Sequence, residues 1–343
     1  MNLSLSFKQA ALGLTVLACI GVTANVIANA AGPASARNDD WVVPDIDKLP
    51  DNAWGRLVRE GRDLTVKTYV RLGPEAADAA HGFSGNNMTC QNCHLEAGTK
   101  KFALPFVGVF ADFPQYRGRE GEVGTLEDRI NGCFTRSMNG KVLPFDSHEM
   151  KAFVAYIKFL SDGRPIGGKT DGRGAGKLTE LSRPADPVAG AKIFAQMCTA
   201  CHGDAGLGKK ADAAGAGRGG YEFPPLAGPD SFNDGAGMTR LITAAEFIRS
   251  NMPNGTSYNQ PTLSEADAWD VAAYVVSMQR PHKTDLDKDY PVLTEKPVDA
   301  GYGPYADGLD IKLHKYGPFG PVRDKLKMMK NAAKNTAMPA PAR

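Results

Sequence analysis

Two identical frames constrain this chain more than any other feature: Cys90-Gln91-Asn92-Cys93-His94 and Cys198-Thr199-Ala200-Cys201-His202. Both read C-x-x-C-H, the attachment signature for c-type haem. The spacing has a chemical reason. Two thiols three positions apart reach the two vinyl groups of one porphyrin, and the next residue offers an imidazole to the iron. A redox C-x-x-C or half of a zinc site competes with haem for one such frame, but its repetition favours haem. The expected cofactors are therefore two covalently bound haem c groups, attached at Cys90 and Cys93 and at Cys198 and Cys201, with His94 and His202 as iron ligands.

The chain has six cysteines, and Cys19 lies in its N-terminal apolar run. Lys8, the apolar stretch from Ala10 to Ile27 and the small-residue site Ala28-Asn29-Ala30 read as a signal peptide over 1–30. An uncleaved anchor, and a lipoprotein box at Val16-Leu17-Ala18-Cys19, are the alternatives. All three imply export, and the expected compartment is the periplasm. Cys133 is then the one mature cysteine outside the frames, so no intramolecular disulfide is expected, and an odd thiol in an oxidising compartment needs a reason. A length of 343 residues leaves room for about two domains. A net charge of +2 without a long basic run argues against a nucleic-acid partner, whose phosphates need a clustered positive footprint.

The chain reads as an internal duplication. After the first frame, Met150, Phe153, Val154, Ile157 and Leu160 recur at helical spacing behind an Asp146 cap with Glu149 three residues on. After the second, Ala268, Val271, Ala272, Val275 and Met278 follow a Ser264 cap with Asp267 in the same place, and Tyr156 and Tyr274 match. Ahead of the frames, Trp54, Leu57, Val58, Leu64 and Val70 mark one helix, and Val188, Ile193, Phe194 and Met197 another. This resembles the class I cytochrome c plan, in which an N-terminal helix precedes the haem motif and a C-terminal helix crosses it. The expected fold is all-α: cytochrome c-like domains over 31–160 and 188–282, a Pro/Gly-rich linker over 161–187, and an extended tail from 283 that wraps the domains and becomes disordered near Arg343.

Class I cytochromes take their second axial ligand from a loop before the last helix, commonly a methionine. Met252 lies 22 residues before Tyr274 and fits that place, with Met238 as its competitor. Counting back 23 residues from Tyr156 reaches Cys133, so the unpaired cysteine sits where the first ligand belongs. The alternative is a buried structural thiol with Met138 as ligand. A thiolate donates strongly, favours ferric iron and lowers the potential of its haem. A pure electron carrier has no evident use for it.

At these residues a specific resemblance appears. The run from Gly85 through Leu95, then Tyr116-Arg117-Gly118-Arg119, Arg129-Ile130-Asn131-Gly132-Cys133, Arg136-Ser137-Met138-Asn139-Gly140, and in the tail Gly303-Pro304-Tyr305 and His314-Lys315-Tyr316-Gly317-Pro318-Phe319, resemble the dihaem thiosulfate dehydrogenases. The resemblance implies an oxidoreductase joining two thiosulfates into tetrathionate, in some members reversibly. It further implies a His94/Cys133-ligated catalytic haem and a substrate pocket lined by Arg119, Arg129 and Ser137. Some relatives have a lysine beside the second-haem methionine that exchanges with it on iron. Asn251 stands there in this chain. The expected redox partner is a small cytochrome c or a high-potential iron-sulfur protein.

Charge gives the arginines an independent rationale. Holding two dianions about 5 Å apart costs roughly 3 kcal/mol at the dielectric of water and roughly 13 kcal/mol at an effective value of 20. Arginine stays protonated and offers forked donors to oxyanions. Pairing with Glu120, Glu127 or Asp128, or with a haem propionate, is the other use for Arg119 and Arg129. Sulfite and polythionates remain competing substrates.

Overall fold

A computed structural model describes residues 41–211 and 220–337. The segment read as a signal peptide, with Cys19, and the chain end near Arg343 lie outside the described residues. In the first half, α1 (Ala53–Val66) is capped by Asn52, whose side chain accepts from the Gly55 N–H. The helix ends at Lys67, so Val70 lies on the separate short helix α2 (Thr68–Leu72) and not on α1. After the short turns of the first frame and α3 (Leu95–Gly98), strands β1 (Gln115–Arg117) and β2 (Glu122–Gly124) form a hairpin, and α4 (Leu126–Phe134) follows. Helix α5 (His148–Phe159) closes the unit. Its cap is Ser147 rather than Asp146: the Ser147 hydroxyl accepts from the Met150 N–H at 3.1 Å. Both residues are cap formers, and chain direction selects the second.

The second half repeats the plan. Helix α6 (Pro187–Met197) is capped by Asp186 and has proline in its first turn, where no N–H is lost. Short α7 (Thr199–His202) carries the second frame, and α8 (Leu241–Asn251) and α9 (Glu265–Ser277) follow, separated from α7 in part by the small hairpin β3 (Lys209–Lys210) and β4 (Tyr221–Phe223). Ser264 caps α9 as expected, accepting from the Asp267 N–H at 3.1 Å. Ile193, Phe194 and Met197 pack against α9, while Val188 stands 68% exposed on α6.

In each unit the first and last helices cross at a glycine. A Cβ on Gly61 of α1 would lie 2.0 Å from the Ala152 carbonyl oxygen of α5, and one on Gly190 of α6 would lie 1.9 Å from the Asp270 carbonyl oxygen of α9. Neither helix pair could approach this closely with any side chain there. The crossing seats Tyr156 in the first core, where its hydroxyl donates to the Ala97 carbonyl at 2.9 Å.

The tail is not extended throughout. It contains α10 (Ile311–Tyr316) and the 18-residue α11 (Gly320–Ala337). Val322 and Leu326 of α11 are buried, and Phe319 ahead of it reaches Trp269 of α9 with ring centroids 6.3 Å apart. The apolar stripe is narrow and diluted by lysines, which hides its period in the sequence. The segment between α5 and α6 is likewise no free tether. The Gly172 and Gly174 carbonyls accept from the Phe102 and Leu104 N–H groups at 2.6 and 2.9 Å, and the Ala175 carbonyl accepts from the Ser250 hydroxyl at 2.7 Å.

Candidate haem centres and anion vestibule

Each frame opens onto its own cavity. The first, of about 280 Å³, is lined by Cys90, Cys93, His94 and Cys133, and the second, of about 330 Å³, by Cys198, Cys201, His202 and Met252. Residues chosen for these roles by spacing are thus brought together in two sets. Met238 also borders the second cavity and Met138 the first. Met138 packs within the apolar cluster of Leu64, Phe134 and Phe153.

Three observations fit these cavities to porphyrins. The four frame thiols are free. The His94 Nδ1 pairs with the Leu104 carbonyl, and the His202 Nδ1 with the Pro224 carbonyl at 2.9 Å. A carbonyl only accepts, so each Nδ1 carries the proton and each Nε2 is left with a lone pair for a metal. Finally, Thr89 Oγ1 in the first cavity wall and Asn251 Oδ1 in the second are buried without a hydrogen-bond partner among the described residues, which is rare in a filled interior. Phe106 braces His94 at a ring distance of 4.3 Å, and Gly98, at φ +84°, leaves the space that Phe106 occupies.

Cys133 stands apart from the other thiols. It lies one helical turn after Arg129 on α4, and the Arg129 Nη1 donates to its sulfur at 2.8 Å. Helix geometry brings residues four apart onto one face, so this contact follows from sequence spacing. Burial opposes ionisation of Cys133, but the Arg129 charge and the adjacent His94 outweigh it and draw the thiol down to about 6. Burial instead pushes Cys90 and Cys93 up to about 12 and Cys198 to about 11.

A third cavity of about 460 Å³ shares Cys133, Arg129 and Ser137 with the first and extends to Arg119. Three further arginines of its wall are neutralised, Arg117 by Glu120, Arg136 by Asp289 and Arg240 by Asp299, as is Arg173 of the first cavity by Asp112. Asp128 is engaged as the reciprocal cap of α4 with Thr125. Arg119 and Arg129 form no ion pair among the described residues, so the vestibule holds two guanidinium groups without a directly paired carboxylate beside a thiol of lowered pKa, while Glu295 in the same wall accepts from the Tyr116 hydroxyl. Sequence reasoning missed the wall opposite Arg119, formed by Tyr290 of the tail. No local signal points to it, because the contact spans 171 positions.

Residues 80–166 match the SoxA/TsdA cytochrome c domain and 187–279 the cytochrome c family. The chain is 43% identical to a thiosulfate dehydrogenase of Stutzerimonas stutzeri, over 71% of this chain and 74% of that protein. It is 43% identical to one of Allochromatium vinosum, over 70% and 84% respectively, and 37% identical to one of Psychrobacter arcticus, over 78% and 77%. The solved structure of thiosulfate dehydrogenase TsdBA from Marichromatium purpuratum matches with a TM-score of 0.64 at 36% identity, over 74% of this chain and 52% of that longer one. The chain thus spans about half the length of that protein. With two cytochrome c units in tandem and two covalently bound haem c groups, it belongs to the thiosulfate dehydrogenase family.

Proposed function

We propose that this protein oxidises thiosulfate by joining two of its anions into tetrathionate, that the reaction is reversible in principle, and that it takes place after export to the periplasm. A sulfur-sulfur bond forms between the outer sulfurs of two dianions, two electrons leave, and no proton or oxygen is lost. The observation that carries this reading is the 2.8 Å contact between Arg129 and Cys133 in the wall shared by the first haem cavity and the vestibule.

Haem groups would be held by Cys90, Cys93 and His94 and by Cys198, Cys201 and His202, with Cys133 and Met252 as further iron donors, and would supply one-electron acceptance and a relay to an external acceptor. The remaining chemistry belongs to the chain. Arg119 and Arg129 offset the repulsion between two dianions and hold them with forked donors. Ser137 offers a hydroxyl donor at the same wall. Arg129 also holds the Cys133 sulfur as a thiolate, the form that donates to a metal and attacks sulfur. The second domain offers a histidine and a thioether, a ligand set that would suit a haem of higher potential than a thiolate-ligated one and would favour electron passage from the first unit to the second. The acceptor is a small cytochrome c or a high-potential iron-sulfur protein.

The test is a redox assay of the purified haem-loaded protein with thiosulfate and with tetrathionate, run in both directions beside electron paramagnetic resonance of the oxidised form. Thiosulfate-dependent reduction with tetrathionate as product, and a thiolate-ligated low-spin signal, are expected. Rapid electron exchange with redox proteins but no turnover of either anion would leave a dihaem electron carrier instead.

A further inference from the structure

Arg119 occupies the turn between β1 and β2, a place from which a long side chain normally reaches solvent. The tail grips this hairpin. The Tyr290 N–H donates to the Arg119 carbonyl at 2.7 Å, and the Arg119 Nε donates to the Tyr290 hydroxyl at 3.3 Å. The guanidinium carbon lies 5.8 Å from the centre of the Tyr290 ring. Close by, Pro291 lies against Gly121 of the same turn, and the Tyr116 hydroxyl donates to Glu295 at 2.9 Å.

Tyr290 is itself held under constraint. It is 6% exposed and has φ +62°, a region that aromatic residues rarely enter and that persists only where the surroundings enforce it. The preceding residue supplies that enforcement: Asp289 accepts from Arg136 Nη2 and from the Tyr302 hydroxyl, both at 2.6 Å. The buried Lys296 ammonium lies within 5.9 Å of the Tyr290, Tyr302 and Tyr305 ring centres.

The identity of the partner atom matters. Arg117, Arg136 and Arg240 of the vestibule are each oriented by a carboxylate, which offsets their charge. Arg119 is oriented by a hydroxyl through Nε, and no carboxylate pairs with it directly among the described residues, so its two terminal nitrogens remain for an anion. We propose that Tyr290 is the positioning residue for Arg119, and that the segment after the second domain thereby completes the anion vestibule of the first. This rests on Arg119 as a substrate ligand.

The experiment is a double-mutant cycle on the full-length haem-loaded protein: Arg119→Gln, Tyr290→Phe and the pair, with thiosulfate KM and kcat, haem content and both haem potentials measured. Tyr290→Phe keeps the ring and removes the hydroxyl, and Tyr305→Phe removes a tail hydroxyl bonded instead to the Ala300 carbonyl. Tyr290→Phe should raise KM about three- to tenfold, the worth of one hydrogen bond, with kcat, haem content and potentials unchanged. Arg119→Gln should raise KM further, the pair should match Arg119→Gln alone, and Tyr305→Phe should leave KM unchanged. An equal rise from Tyr290→Phe with and without Arg119, or the same rise from Tyr305→Phe, overturns the positioning role. An unchanged KM in Arg119→Gln instead overturns the reading of Arg119 as a substrate ligand, and the proposal with it.

Discussion

Helices α4 and α8 occupy corresponding places in the two domains, and each ends at a candidate iron ligand. On α4 the residue one turn ahead of Cys133 is Arg129, whose guanidinium meets the sulfur at 2.8 Å. On α8 the residue one turn ahead of Met252 is Ile248, whose carbonyl accepts the Met252 N–H at 2.8 Å and whose side chain packs among apolar neighbours. The register is the same and the chemistry is not. The duplicated scaffold of crossing helices and frame histidines is retained in both halves, while one position of one helical turn sets a guanidinium beside the sulfur in one half and an aliphatic side chain in the other. On the proposed reading, a cytochrome domain acquires an anion site without altering the elements that seat its porphyrin.

The strongest way to break this contrast is to give the first domain the second domain's ligand. Cys133→Met should keep two covalent haems by intact mass, raise the first haem potential, and lower thiosulfate turnover by more than about 10³-fold, the scale seen when an obligatory reacting group is removed. Unchanged steady-state rates would show that the sulfur has no part in turnover. Next, Arg129→Ile copies Ile248, the corresponding residue of α8. Losing one charge-assisted contact should raise the thiosulfate KM about 10- to 100-fold without loss of haem, and unaltered kinetics would make Arg129 a structural residue.

Ser137→Ala tests a neutral donor at the same wall and should cost about two- to tenfold in kcat/KM; an effect as large as that of Arg129→Ile would mean the pocket had collapsed. The smallest effect concerns stability and belongs to α8. Burial pushes Glu246 up to about 7, above its ordinary 4.5, with Asp299 adding to the shift and Arg240 and Lys177 opposing it. The folded protein then binds this proton more tightly than the unfolded one, so stability present below about pH 4.5 is lost as pH rises towards 7. Glu246→Gln should flatten the denaturation midpoint over that window, and a wild-type slope in the variant would refute the assignment.

Much of this site was legible because its logic is local. The haem frames, the Ser264 cap, and the places of Cys133 and Met252 follow from spacings within a helix or between a loop and the helix after it. Gly61 and Gly190 were not legible: an unremarkable helical glycine acquires meaning only when Ala152 or Asp270 is known to lie opposite. Tyr290 was hidden for the same reason, since its partner Arg119 lies in another domain. Helix α11 escaped because Val322 and Leu326 are too few among its lysines to announce a period.

The loop from Lys100 to Leu104 ties the two units together. Its Leu104 carbonyl orients His94, its Phe102 carbonyl accepts from Asn251 at 2.9 Å, its Lys100 ammonium reaches the Thr256 carbonyl at 3.1 Å, and Phe102 stacks on Tyr258 with ring centres 3.9 Å apart. One short loop thus supports the histidine of the first haem and the segment carrying Met252. The two cytochrome units are not interchangeable modules. Replacing the second with an unrelated monohaem cytochrome would remove the contacts that Asn251, Thr256 and Tyr258 make with this loop of the first.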